Sequence, residues 1–112
     1  MIVEYIRYEV EDASALIEAY EAARRSLDAS PHCLAYDLSR CSEEPRSLIL
    51  RIEWVSTEAH LEGFRKSAEF GPFLAAVRPF IGQIREMRHY ELTPVVSRKG
   101  ASGPGVKPPP AG

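Results

Sequence analysis

A chain of 112 residues, 45% of them apolar and 27% charged, has the composition of one soluble globular domain and excludes a second. Its 14 Lys and Arg against 16 Asp and Glu leave a net charge of −2, and no basic run is longer than a pair such as Arg24, Arg25, so neither a nucleic-acid nor a membrane-surface partner is indicated. No apolar run approaches the roughly 18 residues that cross a bilayer, and the N-terminus enters charged alternation at Glu4, Arg7 and Glu9 without a signal-peptide core, which predicts a cytoplasmic protein.

The first segment, IVEYIRYEV, is rich in β-branched and aromatic residues and alternates with period two through Ile2, Ile6, Tyr8 and Val10, the pattern of a strand. From residue 11 to 29 the period changes, with Leu16, Tyr20, Ala23 and Leu27 recurring at three and four. Asp12 and Ser14 are candidate caps and Ser30-Pro31 is a stop, so an amphipathic helix is expected. Residues 32–41 and 46–54 are apolar or alternating runs separated by the polar turn Ser42-Glu43-Glu44-Pro45, and predict an antiparallel hairpin. Ser56-Thr57-Glu58 has the composition of a helix entry, with Ala59, Phe64 and Ala68 along one side until Gly71-Pro72 interrupts. A shorter helix then carries Phe73, Leu74, Val77 and Phe80. Residues 83–92 alternate again through Ile84, Met87, Tyr90 and Leu92, with charges at Arg85, Glu86 and Arg88, and read as the last strand. The domain is expected to span residues 1–93, and the Pro/Gly-rich residues 94–112 to form a flexible tail that cannot repay the entropy of ordering.

The order β, α, β, β, α, β predicts an α+β, ferredoxin-like sandwich: a four-stranded antiparallel sheet with both helices on one face. Large groups occupy both side-chain sets of the hairpin. Leu34, Tyr36 and Leu38 alternate with Cys33, Ala35 and Asp37, while Leu48, Leu50, Ile52 and Trp54 alternate with Ile49, Arg51 and Glu53. A sheet wet on one side would show a cleaner polar set, so a second sheet supplied by a two-fold homodimer is expected. Cys33 and Cys41 are too few for a disulfide framework or a metal site, and on one strand would stand roughly 26 Å apart at about 3.3 Å per residue.

The segments PHCLAYDLSRCSEEPRSLILRIEW and STEAHLEGFRKSAEFGPFLAAVRPF resemble the antibiotic biosynthesis monooxygenase superfamily. The likeness covers residues 1–92. It rests on the pattern small, Cys, Leu, small, Tyr, acidic, Leu in the second strand, the Glu53-Trp54 pair ending the third, the Ser-Thr-Glu-Ala entry that follows, and the step from Ser67 to Phe70. The resemblance implies a dimeric α/β barrel. It also implies one of several chemistries: cofactor-independent oxidation of anthrones, phenols or quinols by dioxygen, or haem degradation. The chain contains no Asn, which haem-degrading members and aromatic oxygenases of the family use, and Phe64 and Glu69 stand where the helix histidines of the haem-degrading pattern fall. Haem degradation is therefore not expected. Neither GxGxxG nor GxxxxGK[ST] occurs, so no nucleotide cofactor is suggested.

Trp54 matches a family residue with an attributed role, and its indole could stack on a flat ring or simply pack in the core. His60 lies on the first turns after Trp54 and is a candidate base or a solvated surface residue; His89 could face a dimer interface, and His32 is most simply a turn residue. Tyr8, Tyr36 and Tyr90 share the parity of the apolar set, so their phenols are expected in a common layer. Arg51 and Arg88 could stabilise a phenolate or pair with Glu53 and Glu86. The candidate catalytic residues are thus His60, Tyr36 and Trp54, and the candidate substrate contacts Trp54, Phe64, Leu50, Tyr8 and Arg51, with no cofactor or metal ligand among them. The function expected is cofactor-independent monooxygenation of a small phenol, anthrone or quinol. A non-catalytic ligand-binding or accessory protein, and a polyketide isomerase or cyclase, are the alternatives.

Overall fold

The computed structural model describes residues 1–99. Strand β1 (Ile2–Glu9) is followed by helix α1 (Ala13–Ala29), and β2 (Cys33–Arg40) and β3 (Ser47–Trp54) form the expected hairpin. A π-helical turn (Ala59–Gly63) and a 3-10 turn (Phe64–Lys66) lead to α2 (Phe70–Val77), and a second 3-10 turn (Arg78–Gln83) to β4 (Ile84–Glu91). The strands lie in the antiparallel order β2-β3-β1-β4, which makes the architecture the ferredoxin-like α+β sandwich that the pattern predicts. The tail expected over 94–112 falls, from residue 100 onward, outside the described residues. Among the described residues no helix is long and apolar enough to cross a membrane.

Local chemistry accounts for α1. Asp12 Oδ1 accepts from the Ala15 amide at 3.1 Å, satisfying one of the donors left unpaired in a first turn. The helix ends at Ser30-Pro31, and its stripe of Leu16, Tyr20, Ala23 and Leu27 is buried. That stripe packs on Ile6 and Tyr8 of β1 and on Leu48, Leu50, Ile52 and Trp54 of β3, and Phe64, Phe73 and Val77 close the core from the second helical region.

Three details depart from the expected pattern. The single helix entering at Ser56 is broken into a π turn and a 3-10 turn, and α2 already begins at Phe70, with Pro72 in its first turn, where its missing N–H costs nothing. In β2 the register against β3 shifts between Cys33 and Ala35, so Cys33 joins Tyr36 and Leu38 against the core while Leu34 is 55% exposed. In β4 the register against β1 shifts at Arg7/Tyr8, leaving Arg85 as an extra residue. Ile84 and Met87 therefore flank the helical layer three residues apart, and Tyr90 is turned to the opposite face, 47% exposed and edge-on to Tyr5 at 5.5 Å. The common tyrosine layer is corrected accordingly: Tyr8 alone of the three is fully inside.

The Tyr8 and Tyr20 hydroxyls meet at 2.5 Å in the core, and burial raises the pKa of both phenols. Removing one hydroxyl strands the other away from water. Tyr20→Phe is expected to cost about 1–3 kcal/mol in urea unfolding, and the double variant with Tyr8→Phe less than the sum of the two single changes. A strictly additive double variant would show that the hydroxyls do not depend on each other.

Candidate active site

Position 4 of β1 breaks the apolar set of Ile2, Ile6 and Tyr8 with a carboxylate, and Glu4 is 1% exposed on the helix-facing side of the sheet. Trp54, across the β1–β3 ladder at the end of β3, donates its indole N–H to Glu4 Oε1 at 3.0 Å. Glu4 Oε2 is buried and has no hydrogen-bond partner among the described residues. Burial pushes the carboxyl pKa up, against the opposing influence of the indole and of the charges of His89 and Arg65.

The π turn supplies the next group. Ser56 Oγ accepts from the Ala59 amide at 2.9 Å, fixing the turn's entry, and the wider coil lays the His60 ring flat on the Trp54 indole, with centroids 4.5 Å apart and planes at 12°. His60 is 4% exposed, and its pKa is pushed down to about 4, first by burial and then by the positive charges of Arg65 and His89. It is a neutral imidazole at neutral pH. His60 Nδ1 lies 2.8 Å from His89 Nε2, one nitrogen carrying the proton and the other accepting it. His60 Nε2 lies 3.6 Å from Glu4 Oε1 and His89 Nε2 3.9 Å from Glu4 Oε2. A nitrogen of each imidazole and an oxygen of Glu4 all fall within 4.8 Å of one another, a set able to share protons or hold a cation.

Glu4 and His60 sit in the wall of an apolar pocket of about 170 Å³ between the sheet and the second helical region. Trp54, Phe64, Phe73, Tyr8 and Met87 are among its apolar lining residues, and Arg65 adds a cation.

Four of the residues singled out from the sequence meet here: Trp54, His60, Phe64 and Tyr8. Tyr36 and Leu50 instead line a second cleft, against α1. Tyr36 donates to Asp28 Oδ1 at 2.6 Å and accepts from Arg24 Nε at 3.1 Å, so its hydroxyl is already committed. Leu50 shares the face of Trp54 but stands four residues along β3, roughly 13 Å at about 3.3 Å per residue. Placement of Arg51 beside Trp54 is corrected as well. Its odd parity turns it to the other face of the sheet, where it bonds Glu53 at 2.6 Å and the Tyr5 hydroxyl at 3.4 Å. Arg88 pairs with Glu86. His89, expected toward a partner chain, is brought inward opposite Glu4 by the β4 register shift. Glu4 and His89 are the members that sequence reasoning missed. The signal for Glu4 was present, a lone acid at an inward position; none marked the extra residue that reorients His89.

A family model described as antibiotic biosynthesis monooxygenase matches residues 1–76. The uncharacterised protein YczJ of Bacillus subtilis is 29% identical over 74 residues, which cover 66% of this chain and 78% of YczJ. Among solved structures, a Bordetella bronchiseptica protein classed provisionally as an antibiotic biosynthesis monooxygenase superposes with a TM-score of 0.72 at 21% identity, covering 82% of this chain and 96% of that one. SnoaB of Streptomyces nogalater, a cofactor-independent oxygenase, superposes at 0.63 with 14% identity, over 91% and 97% of the two chains.

Among the described residues the indole N–H is the one hydrogen-bond donor on Glu4 Oε1. Trp54→Phe keeps an aromatic ring under His60 and removes that donor, and is expected to cost about 1–3 kcal/mol in urea unfolding followed by circular dichroism. Combining it with Glu4→Leu should recover part of the loss. Full stability of the single variant would show that the indole does not hold the carboxylate.

Proposed function

This chain belongs to the antibiotic biosynthesis monooxygenase family, and from that membership we propose that it oxidises a small phenol or quinol with dioxygen, the substrate itself supplying the electrons. The observation that carries this reading is the Trp54–Phe64 pocket, lined mainly by apolar side chains with His60 and Glu4 in its wall. Its volume of about 170 Å³ lies below the roughly 300–1,000 Å³ of common ligand clefts and suits one or two fused rings better than a larger polycycle. The likeness to SnoaB supports the same class of reaction.

In the proposed chemistry the ring lies against Trp54, Phe64 and Phe73 with its hydroxyl toward His60, which takes the phenol proton. The ring carbon of the phenolate passes one electron to dioxygen, the radical pair joins in a new C–O bond, and the O–O bond breaks as that carbon loses its hydrogen. The products are a quinone carbonyl and one molecule of water, so four electrons leave the ring and reduce dioxygen fully.

Members of the family are typically oligomeric, and the outer face of this sheet exposes Tyr5, Ile49 and Tyr90, where no helix of the described residues covers it. We read that face as the contact between two copies of the chain. Ile49→Asp should then convert a species of twice the chain mass in light scattering to a monomer. A wild-type monomer at the same concentration would dismiss the dimer.

Oxygen uptake by purified, metal-stripped protein is the direct assay, run against a panel of naphthols, quinols and anthrones. His60→Ala is expected to lower the rate by about 10²-fold while ligand quenching of Trp54, the single Trp, is retained. An unchanged rate removes His60 from the mechanism. Quenching without any uptake across the panel favours a non-catalytic binding protein.

A further inference from the structure

Glu4 Oε2 is a buried oxygen without a partner, and a buried carboxylate oxygen in that condition costs free energy unless something positively charged or protonated meets it. The two groups nearest to it in the cluster are imidazoles. We propose that Glu4, His60 and His89 together bind a divalent first-row transition-metal ion, with two nitrogens and one carboxylate oxygen as ligands.

The donor set selects the class of ion. Two imidazoles and one carboxylate suit Zn²⁺ or Fe²⁺, whereas Mg²⁺ and Ca²⁺ favour all-oxygen shells. The spacing fits as well. Donors about 2.0–2.2 Å from a tetrahedral ion stand roughly 3.3–3.6 Å apart. Here His60 Nδ1 and His89 Nε2 are 2.8 Å apart and His89 Nε2 and Glu4 Oε2 3.9 Å, on either side of that spacing, and one donor atom of each of the three residues lies within 4.8 Å of the others. The supporting contacts are those a metal carboxylate requires. The Trp54 indole holds Oε1 and leaves Oε2 free to bind, and the same indole fixes the plane of His60 by stacking.

Three protein ligands leave at least one position open, and the adjoining pocket is where an exogenous ligand would take it. Arg65 in the pocket wall favours an anion there, such as a phenolate oxygen. The proposal goes beyond the oxygenase reading and does not depend on it. An ion on His60 Nδ1 displaces the proton shared with His89, so the loaded chain binds a phenolate at the metal instead of accepting its proton at that nitrogen.

The experiment is a titration of tag-free, metal-stripped full chain with Co²⁺ as a visible-absorption probe, followed by calorimetry with Zn²⁺ and, anaerobically, Fe²⁺. One equivalent per chain is expected, with the visible bands of a four- or five-coordinate site. His89→Ala and Glu4→Gln should each weaken binding by at least about 100-fold, and Trp54→Phe, which touches only the supporting contact, by about 10–100-fold. His32→Ala, outside the cluster, should leave it unchanged. Circular dichroism of each variant separates loss of the site from loss of the fold, and His89, partly exposed on β4, is the variant expected to fold normally. Absence of stoichiometric binding, or Co²⁺ bands that survive His89→Ala, would overturn the proposal. No aromatic substrate enters these measurements, so a protein that binds the ion yet consumes no oxygen keeps the site and loses only the oxygenase reading.

Discussion

A carboxylate on the inner face of a sheet has to be met by hydrogen bonds or charge, because an unpaired ionised group in a dry interior costs far more than any single packing contact returns. Glu4 sets that condition for the whole second half of this molecule. The end of β3 answers it with the Trp54 N–H, the π turn after β3 brings His60 over the same indole, and β4 brings His89 opposite. The π turn and the β4 register shift are departures from the simplest forms of their elements. An uninterrupted α-helix from Ser56 or an unbroken β4 ladder would present different side chains to this point.

That dependence explains which parts of the fold were legible. Element type and order follow from the switch between a period of two and a period of three to four, and from the breaks at Ser30-Pro31 and at the residue 42–45 turn, all visible in the sequence. Faces were harder. A bulge changes every inward position beyond it to an outward one, and those at Cys33/Ala35 and at Arg85 carry no glycine or other marker. Period-two parity therefore puts Leu34 and Tyr90 on the wrong side and turns His89 away from Glu4, which it faces in the structure.

The site divides along the same line. Trp54, Phe64 and Tyr8 follow from parity and helical spacing, and His60 from its place after the tryptophan. Sequence nearness and residue chemistry group Tyr36, Leu50 and Arg51 with them but ignore two distances: four residues along a strand carry Leu50 out of reach, and one residue carries Arg51 through the sheet. Glu4 is the instructive omission. A single acid among Ile2, Ile6 and Tyr8 reads as a strand with one exposed position, yet the register gives it no exposed side to occupy.

The pocket's asymmetry then constrains any ligand, whatever the reaction. Away from Glu4 it is lined by the tyrosine pair, whose hydroxyls share one hydrogen bond, and by Phe73, so that end is mostly apolar surface. The near end holds an imidazole, a carboxylate and the Arg65 cation. A molecule with one polar edge and one hydrocarbon edge can bind in a single orientation without stranding a polar atom, and that orientation presents its oxygen to His60. Chemistry at that oxygen, by proton transfer or at a bound ion, is thus decided by where the sheet buries its one unpartnered carboxylate oxygen, and not by the shape of the pocket alone.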